Sequence, residues 1–121
     1  MNIKNEEYKN KLKALMGKTV SGIIDRPIGS IHPEYSDMVY RVNYGHLINF
    51  YAPDGEEQDV YYLGVNEPIN SFKGKVIAII ERIDDVEDKL VVSKAGKPFT
   101  NKEIEEMINF QEQFFKHRII R

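Results

Sequence analysis

Two acidic segments hold the side chains best suited to chemistry. One is Asp54-Gly55-Glu56-Glu57-Gln58-Asp59; the other is Asp84-Asp85-Val86-Glu87-Asp88, followed directly by Lys89. Carboxylate oxygens are hard ligands, and Mg²⁺ takes one or two of them while completing its shell with water and phosphate oxygens. Carboxylates brought close repel one another, so such a grouping is costly unless a cation offsets it. The two segments can meet if the strands that carry them are neighbours. The alternative is that both are solvated turns, since surface turns are often acidic and Asp-Gly is a common turn pair. The pattern is not the twelve-residue calcium loop, and the chain has neither HExxH nor a glycine-rich phosphate loop ending in Lys-Ser or Lys-Thr.

A third segment, Arg26-Pro27-Ile28-Gly29-Ser30-Ile31-His32-Pro33, offers a guanidinium, a hydroxyl and a glycine-released backbone. Together these suit an anion-binding turn. The segment reads equally well as a structural turn in which His32 satisfies a backbone partner. Histidine is not an obvious magnesium ligand, so His32 and His46 receive no metal role. The chain has no cysteine, which excludes thiolate chemistry and disulfides and fits a reducing, cytoplasmic setting.

These residues need elements to position them. The residues from 3 to 16 read as a polar helix with Tyr8, Leu12 and Leu15 or Met16 on one side, stopped by Gly17. A β-branched strand is expected over 19–24, then a turn, then an alternating strand over 38–44 that Gly45 breaks or bends and 46–51 resumes. Gly55 serves a turn before a strand over 59–63. The segments 75–81 and 89–93 form a hairpin, and Val76 to Ile80, apolar on both faces, reads as a fully covered strand or a barrel wall. Thr100 with Glu103 is a capping box, followed by Ile104, Met107, Ile108, Gln111, Phe114 and Phe115 at helical spacing. That stripe is expected to pack on the sheet.

The result is mainly β with flanking helices, an α+β arrangement read as one compact domain over 1–121. At 121 residues, 41% of them hydrophobic, the chain can bury a core without a covalent staple. Its 17 basic and 19 acidic residues argue against a duplex nucleic-acid binder, whose affinity rests on many cation–phosphate contacts. The first residues lack a signal-like apolar run, and the apolar stretch at 76–80 is far short of the roughly 20 residues that span a bilayer. No nucleic acid or membrane is therefore expected as a partner, and a homo-oligomer is compatible with the reading.

Tyr40-Arg41-Val42-Asn43-Tyr44-Gly45 resembles the Tyr-Pro-x-Asn-Tyr-Gly segment of soluble inorganic pyrophosphatases. At that family's downstream interval, Asp54-Gly55-Glu56-Glu57-Gln58-Asp59-Val60 is similar to its Asp-Gly-Asp-Pro-x-Asp-Val signature. Further on, Glu87-Asp88-Lys89-Leu90 is similar to its Asp-x-Lys-Leu pattern, and the resemblance spans residues 38 to 92. It implies a small closed or partly closed β-barrel between an N-terminal and a C-terminal helix. It implies metal-dependent hydrolysis of pyrophosphate, with Mg²⁺ as cofactor and Mn²⁺ as a substitute.

Carried over by position, the metal carboxylates would be Asp54, Glu56, Asp59, Asp84 and Glu87, with Asp85 or Asp88 able to replace one in a loop one residue shorter. Tyr44 would hydrogen-bond within the site, Lys89 would neutralise phosphate charge, and Asp59 would stand nearest the attacking water. Arg26 and Arg41 are the further cations for a small phosphate-containing substrate, though both lie away from the family's spacing for its arginine. The family's glutamate and lysine from its longer N-terminal region are not placed in this sequence, and Phe115-Lys116 is a loose match to its C-terminal Tyr-Lys pair. Two rival readings follow: a hydrolase of another phosphoanhydride or phosphate ester on this scaffold, or a barrel that binds an anion or a protein without catalysis.

Overall fold

The computed structural model describes residues 3–83 and 87–121. Helix α1 (Ile3–Ala14) leads into β1 (Thr19–Arg26), β2 (Asn43–Tyr51), β3 (Glu57–Leu63), β4 (Ser71–Arg82) and β5 (Lys89–Ser93). A single 3₁₀ turn, helix α2 (Asn101–Glu112) and strand β6 (His117–Ile120) complete the chain. The sheet runs β1-β2-β3-β5-β4-β6, and β1 also pairs with β4, so five strands close into a barrel with β6 added outside. No helix among the described residues is long and apolar enough to cross a membrane.

Closure depends on the length of β4. Its first part pairs with β1 from Thr19↔Lys75 to Ile23↔Ser71, its middle with β5 from Lys75↔Ser93 to Ile80↔Lys89, and its end with β6. A register shift between Val76 and Ala78 changes which face the following side chains take. Val76 and Ile79 join one apolar cluster, whereas Ala78 and Ile80 join another. This explains a run that is apolar on both faces: it is the wall between two cores.

The first cluster draws on every barrel strand, through Ile24, Leu47, Val60, Tyr62, Phe72, Val76, Leu90 and Val92, and so fills the interior. Tyr8 and Leu12, one helical turn apart on α1, belong to it. Gly17, at φ 79°, lets the chain leave α1, and its amide bonds to the Val76 carbonyl at 2.8 Å. The second cluster packs Ile104 and Ile108 of α2 on Tyr61, Leu63, Ile80 and Val91. The capping box that starts α2 is formed in both directions between Thr100 and Glu103.

Two expected elements differ. The strand expected over 38–44 begins only at Asn43, because Tyr40 is committed to the preceding loop: its amide bonds to the Ser30 carbonyl and its carbonyl accepts from Gly29. Residues 27–42 instead form an excursion closed by an Ile31↔Val39 bridge. Gly45 does not break the strand. A Cβ there would collide with the Ile23 carbonyl, so glycine allows β1 and β2 to cross closely. The apolar stripe also ends early: α2 stops at Glu112, and Phe114 is 67% exposed. The chain there turns to run back along the edge of β4 as β6.

Candidate functional site

The strand register assembles the site. Tyr44 faces Tyr61 across β2 and β3, and Val60 sits beside Leu90 in the parallel pairing of β3 with β5. Asp59 and Lys89, each one residue earlier, are therefore neighbours on the outer wall, where Lys89 Nζ lies 2.5 Å from Asp59 Oδ2. Lys89 also approaches Glu87 Oε2 at 3.4 Å and the Tyr44 ring centroid at 5.7 Å.

Lys89 is only 3% exposed. Burial alone would lower its pKa, but the facing Tyr44 oxygen and the Asp59 carboxylate carry it above the ordinary lysine value. It therefore stays cationic at neutral pH. Burial pushes the Tyr44 phenol up, so that group stays protonated and neutral.

The second acidic segment joins through Glu87. The pairing of the Asp54 and Glu87 carboxyl groups holds Asp54 below and Glu87 above the usual carboxylate range. Glu56 is exposed and reaches the group through its amide, which donates to Asp54 Oδ1 at 3.0 Å. Asp88, the suggested replacement ligand, is instead a buried anchor. It accepts from the Arg82 amide at 3.2 Å and meets Lys9 of α1 at 3.5 Å. Asp84 and Asp85 lie outside the described residues.

Asp59, Glu87, Lys89 and Tyr44 line one cleft of about 1160 Å³, and Arg26 and Arg41 line it too. The Arg26 guanidinium bonds to the Tyr40 hydroxyl at 2.5 Å and lies 5.5 Å from that ring's centroid. Although burial opposes it, this contact with Tyr40 raises the Arg26 pKa. Arg41 is exposed. Among the described residues, no three histidine, aspartate or glutamate side chains converge closely enough to hold a metal ion.

The donor set fits a more modest demand. Two neighbouring carboxyl groups repel when both are ionised, and a divalent cation between them relieves that repulsion. Mg²⁺ needs only one or two protein carboxylates if water and phosphate oxygens supply the rest. Asp54 and Glu87 meet that requirement.

Sequence reasoning missed the residues that fix the cations. Arg82, on β4, forms a bidentate ion pair with Glu112 of α2, Nε to Oε1 at 3.1 Å and Nη2 to Oε2 at 2.8 Å. Tyr61 donates to Glu112 at 2.6 Å, and Gln111 donates to the Tyr61 hydroxyl at 2.7 Å. Tyr40 then donates to Gln111 Oε1 at 3.0 Å and receives Arg26. A continuous polar chain thus runs from the end of α2 to the Arg26 guanidinium in the cleft. Its one sequence signal was Gln111-Glu112 on the otherwise buried side of a helix. On the interior side, Gln58 accepts from Tyr8 and donates to the Asp88 carbonyl at 2.7 Å, fixing β3 beside the loop that carries Glu87.

No family model matches the chain, and no curated protein matches it. Solved structures do. The inorganic pyrophosphatase from Ehrlichia chaffeensis superposes with a TM-score of 0.62 at 16% identity over 85% of each chain. That from Coxiella burnetii gives 0.59 at 15% identity over 86% of this chain and 84% of its own. The Thermus thermophilus enzyme gives 0.59 at 16% identity over 86% and 81%. At these identities the likeness establishes a common fold.

Proposed function

We propose that this cleft hydrolyses inorganic pyrophosphate in a divalent-metal-dependent reaction. The observation that carries the proposal is the meeting of Asp59, Glu87 and buried Lys89 on the wall of a cleft that also holds Arg26 and Arg41. A cleft with both carboxylates and fixed cations suits an anionic substrate that arrives with a metal, whereas a simple anion binder has no use for the carboxylates.

Asp54 and Glu87 would hold Mg²⁺, or Mn²⁺ in its place. The ion, when bound, supplies Lewis acidity toward phosphoryl oxygens and lowers the pKa of coordinated water. The remaining work falls to the chain. Lys89, held cationic by its neighbours, balances charge on the substrate. Arg26, oriented by Tyr40, and Arg41 bind phosphate oxygens; the guanidinium fork suits bidentate contact. Lys89 engages Asp59 at Oδ2, and a carboxylate accepts at both oxygens, so Asp59 retains capacity to take a proton from attacking water. Tyr44 keeps its proton and orients the Lys89 amine.

The test is phosphate release from pyrophosphate by the purified protein across a Mg²⁺ titration. Release that saturates with metal and stops with chelator is the expected result. No release with either Mg²⁺ or Mn²⁺ would remove the assignment.

A further inference from the structure

We infer that the cleft accepts pyrophosphate carrying a nucleoside at one end, that is, a nucleoside diphosphate. The inference rests on the hydrolytic reading above and names a substrate class for the same site. Pockets for drug-sized ligands run to about 300–1,000 Å³. This cleft, at about 1160 Å³, exceeds that range, whereas pyrophosphate is much smaller than a drug-sized molecule.

The surplus space is aromatic. Tyr35, from the loop between β1 and β2, and Phe114, just beyond α2, both line the cleft, yet they are 56% and 67% exposed. Neither is needed for the core. Inward from Tyr35 the rings continue: His32 lies 5.0 Å from Tyr35 and stacks at 6.1 Å on Tyr40, whose hydroxyl holds Arg26. Phe110 of α2 meets Tyr40 edge-on at 5.3 Å. An aromatic wall thus leads from the open rim to the phosphate-binding cations. Pyrophosphate presents only oxygen to its surroundings and gains nothing from such a wall. A base gains stacking there, which is sequence-tolerant because every base has a π-face.

The reaction keeps its balance. Water attacks the terminal phosphorus and gives its proton to Asp59. The bond from that phosphorus to the bridging oxygen breaks, and the oxygen leaves on the nucleoside monophosphate while inorganic phosphate forms.

The experiment compares kcat/KM for ADP, methyl diphosphate and pyrophosphate in Mg²⁺, for wild type and for a Tyr35→Ala/Phe114→Ala variant. Wild type is expected to prefer ADP over methyl diphosphate by about tenfold or more, the scale of one stacked base. The variant is expected to lose a similar factor for ADP relative to pyrophosphate, mainly in KM. Cleavage of pyrophosphate with no preference for ADP, or an equal loss on both substrates, would overturn the inference and leave the hydrolytic reading standing. Kinetics unmoved by the substitutions, with a change in oligomeric state by light scattering instead, would assign the rings to self-association and overturn it too. If no substrate is cleaved, titration with α,β-methylene ADP decides. Binding that weakens tenfold in the variant supports the nucleotide site without the chemistry, and no binding overturns both.

Discussion

Lys89 shows how one residue is held against its own preference. A lysine 3% exposed would ordinarily shed its proton, yet Tyr44 and Asp59 keep it charged. Lys89→Met retains most of the volume and removes the cation, leaving Asp59 and Glu87 without it. Loss of one preorganised charge stabiliser typically costs about 10²–10³ in turnover, and a fall of that order in pyrophosphate hydrolysis is expected. A change below about threefold, with the fold intact by circular dichroism, would show that Lys89 is structural. The acidic and tyrosine motifs that name Asp59, Tyr44 and Lys89 were legible because each is a local run. Arg82 and Gln58 were not: a polar residue inside an apolar strand has no pattern until its partner, thirty residues away for Arg82 and fifty for Gln58, is known.

At the scale of elements, α2 is attached by the apolar side chains Ile104 and Ile108, flanked by Met107 and Phe110, by the Gln111 hydrogen bonds and by one buried ion pair. Glu112 is fully buried, and the cost of its burial is outweighed by Arg82 and Tyr61, which hold its carboxyl below the usual range. Removing one partner of a buried pair costs about 3–5 kcal/mol, so Glu112→Gln should destabilise the protein by that much in urea unfolding. Phe114→Ala should cost less than about 0.5 kcal/mol, as an exposed position does, whereas Ile108→Ala should cost about 2–5 kcal/mol. Equal losses at both would place Phe114 in the core.

His117 supplies a pH signature at the junction of α2 and β6. Its ring bonds to Glu105 at 2.8 Å and to the Phe115 carbonyl at 2.8 Å. Although burial opposes protonation, these acceptors raise its pKa. The protonated form is therefore favoured by folding. That stability is fully present below the unfolded value near 6.5 and is lost as pH rises through the higher folded value. The fall in Tm across this window should flatten in Glu105→Gln; an unchanged slope would assign it elsewhere. The start of α2 was readable from its capping box, but its end was not. Phe114 and Phe115 continue the helical spacing, and the chain turns away only because the edge of β4 offers β6 a distant partner.

For the molecule as a whole, the barrel closes because β4 is long enough to serve β1, β5 and β6 in turn. Strand types and most positions followed from alternation and turn residues. The parallel pairing of β3 with β5 did not, since it appears only once β4 has crossed between them. That pairing sets Asp59 beside Lys89 and brings Glu87 toward the first acidic segment, otherwise far away in the chain. The most direct test of the account is therefore Asp59→Asn, compared with wild type for phosphate release from pyrophosphate across a Mg²⁺ titration. The amide is nearly isosteric but removes the charge and the proton acceptor. General acid–base groups contribute about 10²–10⁴-fold, and a loss of that size persisting at saturating Mg²⁺ is the expected result. An active wild type matched by an equally active Asp59→Asn would contradict the account, because the chemistry would then lie outside the pairing that builds this site.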